Sequence, residues 1–311
     1  AARSSISSNP TVADIDITTN GTDWLWAVFA VMLFTTIGIL VYANFFVPRH
    51  HRAFVYLSAA ITGTASVAYF SMAADLGATP VRVEFLHGFD LQRTGGLVPT
   101  RSIWYARYID WTITTPLLLL ELLLVSGMPL SNVFLVIFWD IIMIETGLIG
   151  SLVESQYKWG FYVFGCVAMF LVFYDLYFVG WSSAKKLDAS LGSTYIRGTA
   201  MLTFLWFLYP IAWGLADGGN QISPDGEMIF YGILDLLAKP VFAVIHLWGL
   251  RKLDYDVLGL QSGKRSAYME ESGNRVNNAV SGKALESGHH NGAAANSTTG
   301  PTTGNTGAAP A

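Results

Sequence analysis

The stretch YGILDLLAKPVFAVIHLWGL, Tyr231–Leu250, decides the fold. It is apolar over about twenty residues, the length a helix needs to cross a bilayer. Yet Asp235 and Lys239 lie near its middle, four residues apart, so a helix sets them one turn from each other on the same face. Ionisable side chains at that depth are expensive and turn toward a bundle interior or a water pocket. A span of this kind therefore calls for other spans around it.

The rest of the chain supplies them. Of its 311 residues, 52% are hydrophobic and 13% charged, about half the roughly 25% charge of a soluble domain, and the mean hydropathy is +0.43. Apolar runs of spanning length fall at about 24–47, 53–74, 103–127, 130–153, 159–181, 199–216 and 228–250. This excludes a soluble globular class and predicts an all-α bundle of seven transmembrane helices. VPRHHR (47–52) and SGMPLSN (126–132) read as short connections, and SSAKKLDASLGSTYIRG (182–198) as a longer polar loop. Residues 75–101 are polar, with alternation in VRVEFLHGF, and predict a hairpin over one mouth of the bundle.

Three regions follow: an outer segment 1–22, the bundle 23–253 and a tail 254–311. The first is rich in Ser, Thr, Asn and Asp and lacks the build of a cleavable signal peptide. The tail is low in complexity and reads as disordered. The single cysteine, Cys166, falls within a span and cannot form an internal disulfide. With the N-terminus outside, the cytoplasmic side receives Arg49, Arg52, Lys185, Lys186, Arg197, Arg251 and Lys252, against Arg3, Arg82, Arg93, Arg101 and Lys158 outside. The excess favours N-out and C-in.

The buried ionisable residues are Asp110 and Glu121 in the third span, Asp140 and Glu145 in the fourth, Asp175 in the fifth, and Asp235 with Lys239 in the seventh. Two readings of the lysine stand side by side. It forms a salt bridge that holds helices together, or it is consumed chemically, since a desolvated lysine condenses with an aldehyde as a Schiff base. In the second case Asp235 and one further carboxylate balance the imine cation. ARYIDWTITTPLLLLELL (106–123) places Arg107, Asp110, Thr114 and Glu121 on one helical stripe. Asp110 and Glu121 are eleven residues apart, about 16 Å along the axis, which suits passing a proton and not chelating a metal. FLWFLYPIAW (204–213) sets Trp206, Tyr209 and Trp213 on one face. That stripe is either ordinary core or one wall of a site for a long, flat, conjugated ligand, to which Trp111, Met143, Gly147 and Met169 could add.

Taken in order, RYIDWTITTPLLLLELL, WFLYPIAW and DLLAKP resemble a microbial (type-1) rhodopsin of the bacteriorhodopsin-like proton-pumping branch, with the tails of a fungal opsin. The resemblance spans about residues 24–253. It implies all-trans retinal bound to Lys239 as a Schiff base, with Asp110 as counterion and proton acceptor and Asp235 as second counterion. Arg107 would be a gate, Tyr69 and Tyr209 would bond the counterion cluster, and Glu121 would be the cytoplasmic proton donor. Trp111, Trp206 and Trp213 would enclose the polyene, Thr114, Met143 and Gly147 would line it, and Asp140 would pair with Thr115. The family's release pair is two glutamates. Glu227 matches one, while Asp217 falls one position from the other, where Gly218 stands. Glu145 and Asp175 match no family role.

The function so implied is a light-driven outward proton pump, an ion transporter and not an enzyme, in the plasma membrane. Its partners would be membrane lipid, protons and, in an oligomer, further copies of itself, with no nucleic acid. The alternative is a photosensory rhodopsin signalling through a partner that the sequence does not identify. Glu121 argues against it, because several sensory members lack a carboxylic donor.

Overall fold

The computed structural model describes residues 5–10, 12–87 and 89–251, with only the backbone at His50. The expectations for Arg3, Lys252 and the tail from 254 lie outside the described residues. Among the described residues, seven helices long and apolar enough to cross a membrane follow one another: α1 (Thr19–Phe46), α2 (Ala53–Ala73), α3 (Tyr105–Ser126), α4 (Leu130–Leu152), α5 (Lys158–Leu187), α6 (Ala189–Gly218) and α7 (Pro224–Leu250). Consecutive helices pack side by side, α1 along α2 and α4 along α5.

Polarity is turned inside out. Phe45 and Phe134 are 78% and 70% exposed, whereas Arg107 and Lys239 are each 1% exposed. In hydrocarbon every backbone polar group must be satisfied within the segment, and helices do this by themselves. Association between them rests on close packing and interhelical hydrogen bonds more than on apolar burial. Gly150 shows this closeness: a Cβ there would meet the Trp213 ring at 3.2 Å and the Lys158 carbonyl at 3.3 Å.

The helix ends follow from local chemistry. The Thr18 side chain accepts from the Asn20 amide at 3.2 Å and caps α1. The Ser223 hydroxyl accepts from the Gly226 amide at 3.1 Å at the start of α7, where Pro224 has no amide to leave unpaired. Gly127, at φ 62°, ends α3 in the left-handed region.

The span from 182 to 198 departs from the expectation of a loop. It is helical apart from Asp188, which alone separates α5 from α6 and accepts from the amides of Ser190 and Leu191 at 2.8 and 3.0 Å. Lys185, Lys186 and Arg197 are exposed on these helical turns. α1 also begins earlier than expected, at Thr19. Part of the segment assigned to the exterior thus belongs to the bundle, with Ile17, Gly21 and Thr22 buried.

Two π turns interrupt spans, at Asp175–Gly180 and Leu237–Val241, and a third, Gly214–Gly218, ends α6. The Leu237–Val241 turn contains Lys239 and Pro240. Proline gives no amide to the ladder and crowds the preceding turn, so a widened turn accommodates it.

The predicted hairpin covers the end of the bundle where α1, α3 and α7 begin. β1 (Thr79–Arg82) pairs antiparallel with β2 (Thr100–Ile103), Thr79 opposite Ile103 and Arg82 opposite Thr100. Most of VRVEFLHGF lies past the end of β1. Ile15 joins as a parallel bridge to Arg101, and Asp14 accepts from the amide and hydroxyl of Thr100 at 2.8 and 2.9 Å. Asp225 accepts from the Thr18 amide at 2.8 Å, tying the leading segment to α7.

Candidate functional site

Lys239 stands at the centre. Its Nζ donates to Asp110 Oδ2 at 2.5 Å and to Asp235 Oδ1 at 3.0 Å. Asp235 also accepts from Tyr69 Oη on α2 at 2.6 Å, Tyr209 Oη on α6 at 2.7 Å and Trp111 Nε1 on α3 at 3.4 Å. Four helices therefore converge on one carboxylate. Asp110 has fewer partners: its Oδ1 has none among the described residues. Of the two carboxylates beside the amine, Asp110 is the one with accepting capacity to spare.

A cavity lined mostly by apolar and aromatic side chains runs from Lys239 toward α5. Trp111, Met143, Gly147, Trp206, Tyr209 and Trp213 line it, and Tyr162 stacks on Trp213 at 5.1 Å. Aromatic walls with the Lys239 amine among them suit a conjugated aldehyde such as retinal. Two expected positions differ. Thr114 is not in the wall, because it lies on the Asp110 stripe, where its hydroxyl donates to the Asp110 carbonyl at 2.9 Å. Met169 is buried in α5 away from the wall. Thr115, one residue or about 100° further round, does line it, and its hydroxyl donates to Asp140 Oδ2 at 2.8 Å. Leu118 and Cys166 also line the cavity. Leu118 was readable from its spacing, since Trp111, Thr115 and Leu118 fall at i, i+4 and i+7.

Toward the hairpin, Arg107 turns away from the lysine. Its guanidinium donates to Glu227 Oε1 at 2.6 Å and lies 4.2 Å from the centre of the Tyr231 ring. Glu227 Oε2 accepts from Arg101 at 2.8 Å, and Arg101 donates further to Asn220 Oδ1 and the Ile222 carbonyl. Glu227 is thus held between two buried arginines. By sequence Arg101 is one more outer charge of the long loop, and its partner lies 126 residues away. Asp217 is buried in the π turn of α6 and accepts from Tyr108 Oη at 2.5 Å. The widened turn changes the angle at which residues leave the helix, and Asp217 reaches the interior despite its one-position offset.

Toward the opposite end, Glu121 is fully buried among leucines of α3. Ser58 Oγ on α2 donates to its Oε1 at 2.6 Å, and its Oε2 has no partner among the described residues. Glu145 is half-buried and accepts from Thr112 Oγ1 at 2.9 Å. Asp175 opens the π turn of α5.

A seven-helix membrane bundle with a buried lysine, two carboxylates at its amine and an aromatic cavity defines a class of retinal-type membrane proteins. Comparison with known proteins gives the family: residues 20–253 match the model for a bacteriorhodopsin-like protein, and the chain belongs to that family, whose members bind retinal. It is an integral membrane protein. It is 49% identical over 249 residues to the opsin-like protein carO of Fusarium fujikuroi, covering 80% of each chain. Among solved structures it is similar to the light-driven proton pump rhodopsin CsR of Coccomyxa subellipsoidea, with 35% identity and a TM-score of 0.69 over 75% of this chain and 98% of that one. It is also similar to the light-driven proton pump LR (Mac) of Leptosphaeria maculans, with 34% identity and a TM-score of 0.70 over 77% and 99%.

Proposed function

We propose that the chain is a light-driven outward proton pump that carries all-trans retinal on Lys239, an ion transporter and not an enzyme. The observation that carries this reading is the order of carboxylates along α3: Asp110 at 2.5 Å from Lys239 Nζ, and Glu121 eleven residues further on, buried and bonded by Ser58. When bound, retinal supplies light absorption and a change of shape. The protein's groups do the rest. Asp110 Oδ2 accepts the proton from Nζ, while Asp235, fixed by Tyr69 and Tyr209, stays in place as the balancing charge. Glu121 then returns a proton to Nζ from the other side. Arg107, aimed at Glu227, places positive charge between Asp110 and the hairpin end, where Asp217 and Glu227 form the exit. The carboxylate at Asp110 disfavours halide transport, because it puts a negative charge where an anion would have to stand.

The same reading puts the hairpin outside the cell and the 182–198 turns in the cytoplasm, in the plasma membrane. Its support is the excess of Lys and Arg on that side. Illumination of vesicles holding the protein with retinal tests it, with external pH followed with and without a protonophore. Light-driven pH change that a protonophore abolishes is the expected result. No change in illuminated, coloured vesicles would favour the photosensory alternative.

A further inference from the structure

His246 lies on α7 seven residues past Lys239, about 10 Å further toward the cytoplasmic end at ~1.5 Å per residue. It is 3% exposed, and neither ring nitrogen has a side-chain hydrogen-bond partner among the described residues. Aromatic contacts hold the ring: Phe242 stacks on it at 5.2 Å and 11°, and Phe54 of α2 meets it edge-on at 6.4 Å. On α6, Gly198 leaves the ring uncovered, since a Cβ there would stand 3.5 Å from His246 Nδ1 and 2.9 Å from Leu122. On α3 the ring lies beside the main-chain carbonyl of Glu121. Glu121 Oε2 is itself without a partner. A carboxyl with one unmatched oxygen and an imidazole without a side-chain partner thus share one buried layer between α2, α3, α6 and α7. Three of the arginines at this end, Arg52, Arg197 and Arg251, bond main-chain carbonyls.

We propose that His246 conducts protons from the cytoplasm to Glu121, a reading that rests on the pump assignment above. One ring nitrogen takes a proton from the cytoplasmic side, and the other delivers its own to the Glu121 carboxylate, directly or across one water. The ring ends neutral with its proton on the opposite nitrogen and resets by tautomer exchange. No electrons are transferred, and one proton enters for each that leaves.

Flash experiments on the full chain with retinal, in vesicles with a pH-indicator dye, test this with His246→Gln and His246→Leu. The expected result is an unchanged dark spectrum, an unchanged first transfer from Glu121 to Nζ, and cytoplasmic proton uptake slowed at least tenfold in both variants. Added imidazole should restore uptake in His246→Gly. A second readout needs no retinal: in the retinal-free protein, the infrared carboxyl band that Glu121→Gln removes should shift in His246→Leu. Uptake at the wild-type rate in His246→Gln, or an unmoved carboxyl band, overturns the proposal and leaves the pump assignment standing. Absence of light-driven uptake in the wild type overturns both. If His246→Leu yields no pigment, His246→Gln decides.

Discussion

At Lys239 Nζ two carboxylates lie within 3.0 Å, so removing the amine strands both of them in a buried site. Breaking a buried ion pair from one side costs about 3–5 kcal/mol. Lys239→Ala should therefore lose visible absorption after a denaturing wash and also unfold at lower temperature, which absorption spectroscopy and calorimetry check together. Asp110→Asn removes the charge nearest the cation on Nζ, and the absorption should move to longer wavelength while transport stops. An unshifted spectrum would assign the counterion to Asp235. Glu121→Gln keeps the hydrogen bond from Ser58 but holds no transferable proton. Recovery of visible absorption after a flash should slow by tenfold or more, become pH-dependent and speed up again with azide. Millisecond recovery unchanged from wild type would make the pump assignment untenable. These positions were legible because charge inside an apolar run stands out against its neighbours. Arg101 was not, since it lies in a polar loop where arginine is ordinary, and only the fold brings Glu227 to it. Thr114 and Thr115 show the finer limit: both fit the pattern, and one step of helix rotation separates the cavity wall from the Asp110 stripe.

Among the elements, the hairpin end carries the titration that is open to test. Asp75 follows α2 with φ 60°, and burial pushes its carboxyl up to about 6, with the charge of Asp16 adding to the effect. Burial raises Asp16 as well. A carboxyl raised in the folded state from 3.8 favours folding while protonated. That contribution is complete below about pH 4 and fades as pH rises through about 6. Asp75→Asn keeps a side chain that tolerates the left-handed region and stays neutral. Hydrogen exchange at the Ile15 and Val83 amides, which bond Thr100 and Pro99 across the cap, should become faster from pH 4 to 6 in the wild type, beyond the intrinsic rise, and much less so in the variant. Equal profiles would remove Asp75 as the source. The hairpin itself was readable from alternation and turn residues. The continuation of α5 and α6 through 182–198 was not, because polar residues read alike in a loop and in a helix that has left the membrane.

For the whole molecule, the seven spans follow from apolar runs alone, while their order around the centre follows from which faces carry charge. The π turns left little trace in the pattern, since each shifts the helical phase by a single residue. The spacing along α3 has an electrical consequence. Transfer from Nζ to Asp110 covers 2.5 Å, whereas return from Glu121 covers on the order of 16 Å of a core about 30 Å thick. A membrane voltage does work on a moving charge in proportion to the fraction of the field crossed, about 2.3 kcal/mol per 100 mV for the whole. The first transfer should barely respond to voltage, and the second should change by about 1.2 kcal/mol, roughly sevenfold, per 100 mV. Photocurrents under voltage clamp would separate the two steps, with an inside-negative potential slowing the return while leaving the initial displacement of charge untouched.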